Sequence, residues 1–165
     1  MFDTNHLHPM IVHFPIALLL VGFLFEVLSL FIKKEVFSTA AFYLLILGTL
    51  GVIGAYISGD IAGDGISESG MLKNALDSHE DAAFIALCIA VSASIIKTGY
   101  VLLKKNYLAL KWLSFVLFLC GAIAVCRTGY YGGQLVYKYA AGVQLNIGLN
   151  PQDAPLYDNS EKENH

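Results

Sequence analysis

The chain has 165 residues, 56% of them hydrophobic and 14% charged, with a formal net charge of −3 and a mean hydropathy of +0.63. A soluble domain of this size carries about a quarter charged residues and no such excess of apolar ones, so the composition excludes that class and points to a membrane protein. Basic residues are few and sit mainly in short connections, which gives no footprint for nucleic acid.

The first apolar run covers residues 9–32. It lacks a basic start, is too long for a secretory signal, and shows no small-residue cleavage pattern before Lys33-Lys34, so it reads as a retained span. A second run covers residues 36–58. The stretch after it is acidic, with Asp60, Asp64, Glu68, Asp77, Glu80 and Asp81 against Lys73. Runs three and four cover residues 82–103 and 107–125, flanking Lys104 and Lys105. Each run is close to the ~20 residues that a helix needs to cross about 30 Å of hydrocarbon. Helices satisfy their own backbone in lipid, and the alternation of a transmembrane barrel is missing. The expected fold is therefore all-α, an integral membrane antiparallel four-helix bundle made of two tandem hairpins.

Beyond Val125, Gly129-Tyr130-Tyr131-Gly132-Gly133 and the residues to Tyr139 combine interfacial aromatics with small residues and are expected to cap the outer end of the bundle. Residues 1–149 then form the transmembrane domain, and residues 150–165 a polar tail too poor in apolar groups to fold. Lys33, Lys34, Lys104, Lys105 and Lys111 crowd the two short connections. By the positive-inside bias these connections are cytoplasmic, which puts both termini and the acidic loop in the periplasm of a bacterial inner membrane.

Laid on itself with an offset of 71 residues, the sequence matches at unusual positions. His8 falls on His79, Glu26 on Lys97, and Lys33-Lys34 on Lys104-Lys105. With one residue deleted, Gly51 falls on Gly121 and Ser58-Gly59-x3-Gly63 on Thr128-Gly129-x3-Gly133. A parallel repeat of two hairpins sets the first and third helices diagonally opposite, with equivalent residues facing each other across the core.

That geometry selects the candidate chemistry. Imidazole is the usual ligand where a protein holds haem iron without a covalent link, and His8 and His79 would face each other as an axial pair for haem b. His8 and His13 make a poorer pair, because five residues turn a helix by about 140°. Capping is the competing reading of Asp77-Ser78-His79-Glu80-Asp81, which resembles a solvated first turn with acids at the positive dipole end. His13 lies deeper in the span and is open to three roles: a second-site ligand, a quinone hydrogen-bond donor, or an inter-helix hydrogen bond, the last being favoured. Arg127 suits an anion, either a haem propionate or a phospholipid phosphate. Glu26 and Lys97 are each costly alone in the inner half of the bilayer and are expected to pair; a proton path is the competitor. Cys88, Cys120 and Cys126 form no Cys-x-x-Cys motif, so covalent haem attachment is unsupported. His8 with Met10 is a weak copper signal.

His8-Pro-Met-Ile-Val-His13-Phe-Pro-Ile-Ala at the start and Gly132-Gly133-Gln-Leu135-Val136-Tyr137 followed by Gly142-Val143 at the end resemble the bacterial membrane family known as domain of unknown function 2231. The resemblance spans about residues 5–145. It implies a small four-helix inner-membrane protein, and because some members occur beside cytochrome c modules it also implies redox work. The closing motif of that family often carries a histidine two residues after the tyrosine, where this chain has Tyr139. His8, His13 and His79 are thus the imidazoles left for a site.

The sequence accordingly predicts an electron carrier rather than an enzyme: haem b bound by His8 and His79, with His13 and Arg127 supporting the cofactor and a periplasmic cytochrome or other redox partner. The alternative is a membrane scaffold or accessory subunit of a redox complex without its own cofactor. A transporter gains from the repeat, yet four spans are few and no span is visibly broken.

Overall fold

With no water to serve their amides, apolar runs must close their own hydrogen bonds, and these do so as helices. The computed structural model describes residues 7–63, 70–103 and 107–141. Among them are α1 (Leu7–Phe31), α2 (Glu35–Gly63), α3 (Met71–Leu103) and α4 (Leu108–Tyr139). All four are long and apolar enough to span a membrane. The tail from 150, Gly142-Val143, Lys104, Lys105, Asp64 and Glu68 lie outside the described residues.

Three helices outrun the apolar stretches that announce them, α2 by five residues to Gly63 and the other two by more. α3 begins at Met71, well before residue 82. Its early turns repeat partly buried residues at Leu72, Leu76 and His79, and Lys73 pairs with Asp77 at 3.5 Å along the exposed face. Gly70, at φ 86°, supplies the left-handed entry, and its carbonyl accepts the Asn74 N–H. α4 continues to Tyr139, so the segment expected to cap the bundle does so as an extension of the fourth helix. Left-handed Ala140 ends it, returning its N–H to Val136 O at 3.0 Å while Ala141 N–H reaches Leu135 O at 2.9 Å.

Packing is closest within the hairpins α1/α2 and α3/α4, then between α2 and α3 and between α1 and α4, which leaves α1 and α3 on a diagonal. In lipid there is no hydrophobic drive to associate, so close approach and polar contacts carry the bundle. α2 comes against α1 at Gly48, where an added Cβ would lie 2.8 Å from the Leu19 side chain. α3 turns an alanine face inward at Ala82, Ala86, Ala90 and Ala93, of which Ala86 and Ala93 join Leu19, Leu45 and Phe118 of the other helices in the core. Among the described residues, Glu26, Thr49, Ser94, Lys97 and Ser114 are polar and buried in this core.

Candidate functional site

His8, in the first turn of α1, and His79, inside α3, meet across the diagonal at one end of the bundle. Their ring centroids are 6.4 Å apart and the planes cross at 85°. The two halves of the repeat thus bring together the imidazoles that the sequence aligned. His79 stands two turns inside α3 rather than at its start, so Asp77-Ser78-His79-Glu80-Asp81 is not an N-terminal turn. Nor is Ser78 a cap, since its hydroxyl donates back to Asn74 O at 2.8 Å.

Hydrogen bonding fixes both tautomers. His79 Nδ1 lies 3.1 Å from the Thr128 carbonyl, an atom that can only accept, so Nδ1 carries the proton. His8 Nδ1 lies 2.9 Å from Ser58 Oγ, and that hydroxyl already donates to Ala55 O at 3.0 Å. Ser58 therefore accepts from His8, and Nδ1 again carries the proton. Each neutral ring keeps its lone pair on Nε2. Histidines that ligate metals are usually held in a similar way, with the far nitrogen donating to a carboxylate, a backbone carbonyl or water.

Two glycines seat the rings. An added Cβ at Gly59 would lie 2.8 Å from His8 Cε1, and one at Gly132 would lie 3.2 Å from His79 Cε1. Ser58, Gly59, Thr128 and Gly132 were not named by residue chemistry. The signal was present in the repeat, which aligned Ser58 with Thr128, but a serine and a threonine mid-span have many uses.

A cavity of about 280 Å³ opens between α3 and α4, lined by Asn74, Ser78, Tyr131 and Gln134 among others and by neither histidine of the pair. His13 is exposed, and its Nδ1 donates to Pro9 O of its own helix at 2.6 Å. That corrects the expected inter-helix bond: five residues of helix carry His13 to a different face from His8, where the local carbonyl is the partner in reach. Arg127 is also exposed, one residue before Thr128, with Nη2 3.4 Å from Tyr131 Oη and the guanidinium 5.5 Å from that ring. Neither side chain has a described contact with the imidazole pair. Met10 is 73% exposed, so it does not join His8 in a copper site. No group of three or more metal-ligating side chains occurs among the described residues.

At the far end of the same diagonal, Lys97 Nζ lies 2.5 Å from Glu26 Oε1. From His8 to Glu26 is about 27 Å along α1, nearly the hydrocarbon thickness.

Comparison with known families matches residues 4–145. The chain belongs to the family described as Predicted membrane protein (DUF2231). The DUF2231 match covers all four helices and both motifs that carry the resemblance. Neither the curated proteins nor the solved structures give a match.

Proposed function

We propose that this DUF2231 protein binds one haem b between His8 and His79 at the periplasmic end of a bacterial inner membrane and passes electrons. The observation that carries the reading is the facing pair itself. Two imidazole nitrogens bonded to one metal at about 2.0–2.1 Å each set their ring centroids about 6 Å apart, close to the spacing found. A bare ion such as zinc takes four ligands, whereas a porphyrin brings its own four nitrogens and asks only two of the protein. When bound, the haem would supply a one-electron couple.

The chain's own residues do the rest. Ser58 and the Thr128 carbonyl hold both Nδ1 protons, so both Nε2 lone pairs are available. Arg127 is a cation at this level for a propionate, whereas His13, turned to an outer face and bonded to Pro9 O of its own helix, takes no part. Exposed Asp60, Asp77, Glu80 and Asp81 give this end an acidic rim suited to a basic electron partner.

A visible spectrum of the purified protein, expressed with ample haem and followed by a pyridine haemochrome assay, tests the reading. A Soret band that disappears in the His8→Ala, His79→Ala double variant is expected. Absence of the band in the wild-type protein would sink it, as would full haem retention by the double variant.

One observation favours the scaffold reading. Each histidine already ties a hairpin together, His8 joining α1 to α2 through Ser58 and His79 joining α3 to α4 through Thr128. Co-purification of a partner without any chromophore would select it.

A further inference from the structure

The two imidazoles are not held alike. Resting on the haem reading, we propose that His8 is the releasable ligand and His79 the permanent one, so that the site opens on the α1 side to a small neutral molecule of the carbon monoxide, nitric oxide or dioxygen class.

Backbone placement separates them first. His8 is the second residue of α1, in the first turn, whose amides have no helical carbonyl behind them, and it immediately precedes Pro9, whose ring disfavours helical backbone in the residue before it. Pro15, inside the same helix, removes the amide that would serve the Ile11 carbonyl, about one turn beyond His8. The turn that carries His8 is therefore short of backbone bonds. His79 has two turns of α3 before it and six after it, with no proline among them. Local opening concentrates where backbone bonds are few, which favours excursions of the first ring over the second.

The hydrogen-bond partners separate them again. His79 donates to a main-chain carbonyl inside α4, fixed by the helix itself. His8 donates to the Ser58 hydroxyl, which turns on a single torsion and is anchored only by its own bond to Ala55 O. Exchange at the site is a plain substitution. The bond from His8 Nε2 to iron breaks and one bond from the incoming molecule forms, with the lone pair returning to an imidazole that keeps its Nδ1 proton. No electron or proton changes hands.

Carbon monoxide binding to the reduced, haem-loaded, full-length protein in detergent, read by optical spectrum, tests this. Ser58→Ala should take up carbon monoxide roughly threefold faster than wild type, the factor that a typical hydrogen bond between membrane helices carries. Gly54→Ala should match wild type, because a Cβ there meets nothing within 4 Å. His8→Gly should keep its haem, bind carbon monoxide at once, and regain the wild-type spectrum on adding imidazole, while His79→Gly should lose haem. The opposite order in the two glycine variants, or a Ser58→Ala rate equal to wild type, overturns the inference while leaving the haem reading intact. A wild-type protein without a Soret band overturns both.

Discussion

Lys97 Nζ donates to Glu26 Oε1 at 2.5 Å across the diagonal of the bundle, while Glu26 Oε2 is buried without a hydrogen-bond partner. Both side chains are almost wholly removed from solvent, at 3% and 5% exposure for Glu26 and Lys97. A pair in this state is sustained by mutual attraction against a large desolvation cost, and one orphaned oxygen leaves that balance incomplete.

Removing one partner should therefore do more harm than removing both. Lys97→Met alone strands a buried carboxylate and is expected to cost about 3–5 kcal/mol, whereas the Glu26→Leu, Lys97→Met double variant should be neutral or more stable by about 1–4 kcal/mol. Denaturant unfolding in detergent micelles, followed by helical circular dichroism, measures both. Equal destabilisation by the single and double variants would show that the pair's attraction is not what matters there.

The glycine beneath His8 gives a sharper readout of the site. Gly59→Ala puts a methyl 2.8 Å from His8 Cε1 and 3.3 Å from Nδ1, so the ring must leave its seat against Ser58. Gly54→Ala, one turn away on the same helix, meets nothing within 4 Å. The first change should move the His8 ring signals in NMR of histidine-labelled protein and cost about 1–3 kcal/mol. With the second, both should stay put.

Much of this is legible in the amino-acid sequence. The four spans follow from apolar length, and the pairing of Glu26 with Lys97 and of His8 with His79 follows from a repeat that places α1 and α3 on a diagonal. Helix ends were less legible, because hydrocarbon length defines only the apolar part of a helix. The first turns of α3 carry Lys73, Asn74 and Asp77, and α4 runs on through Gly129, Gly132 and Gly133, so hydropathy falls away while the backbone stays helical. The roles of Ser58, Gly59 and Gly132 needed the register between helices, which no single helix encodes. His13 looked inward by depth and faces outward by angle, a difference of rotation that a proline-containing first turn makes hard to phase.

Between the two ends of the diagonal, α2 and α3 share a polar contact. Thr49 Oγ1 lies 2.8 Å from Ser94 Oγ and 3.3 Å from Ala90 O, all buried. Membrane helices gain about 0.6 kcal/mol from such a bond, with about 1.7 as an upper figure. Thr49→Val, which also loses the contact with Ala90 O, should lose up to about twice the 0.6 kcal/mol of a single bond. Ser94→Ala should lose no more, and the double variant should cost clearly less than the two singles summed, because both singles delete the same bond. Strict additivity in unfolding measurements would mean the hydroxyls act independently.

The last turn of α4 offers a change in the opposite direction. Ala140 holds a left-handed backbone at φ 51° and ψ 30°, where its Cβ crowds the following carbonyl. Relieving that crowding is worth roughly 1–2 kcal/mol, and glycine gives part of it back through the extra freedom of its unfolded chain. Ala140→Gly should therefore raise stability by about 1 kcal/mol or less. Ala140→Val, branched at Cβ, should lower it and fray the helix end, since the bonds from residues 140 and 141 to Val136 and Leu135 depend on that conformation. Hydrogen exchange at those two amides separates the cases: slower exchange in the glycine variant and faster in the valine variant are expected. Because this cap closes a helix that seats His79 at Gly132, two turns earlier, the same pair of variants also reports whether firmness at the helix end reaches the imidazole.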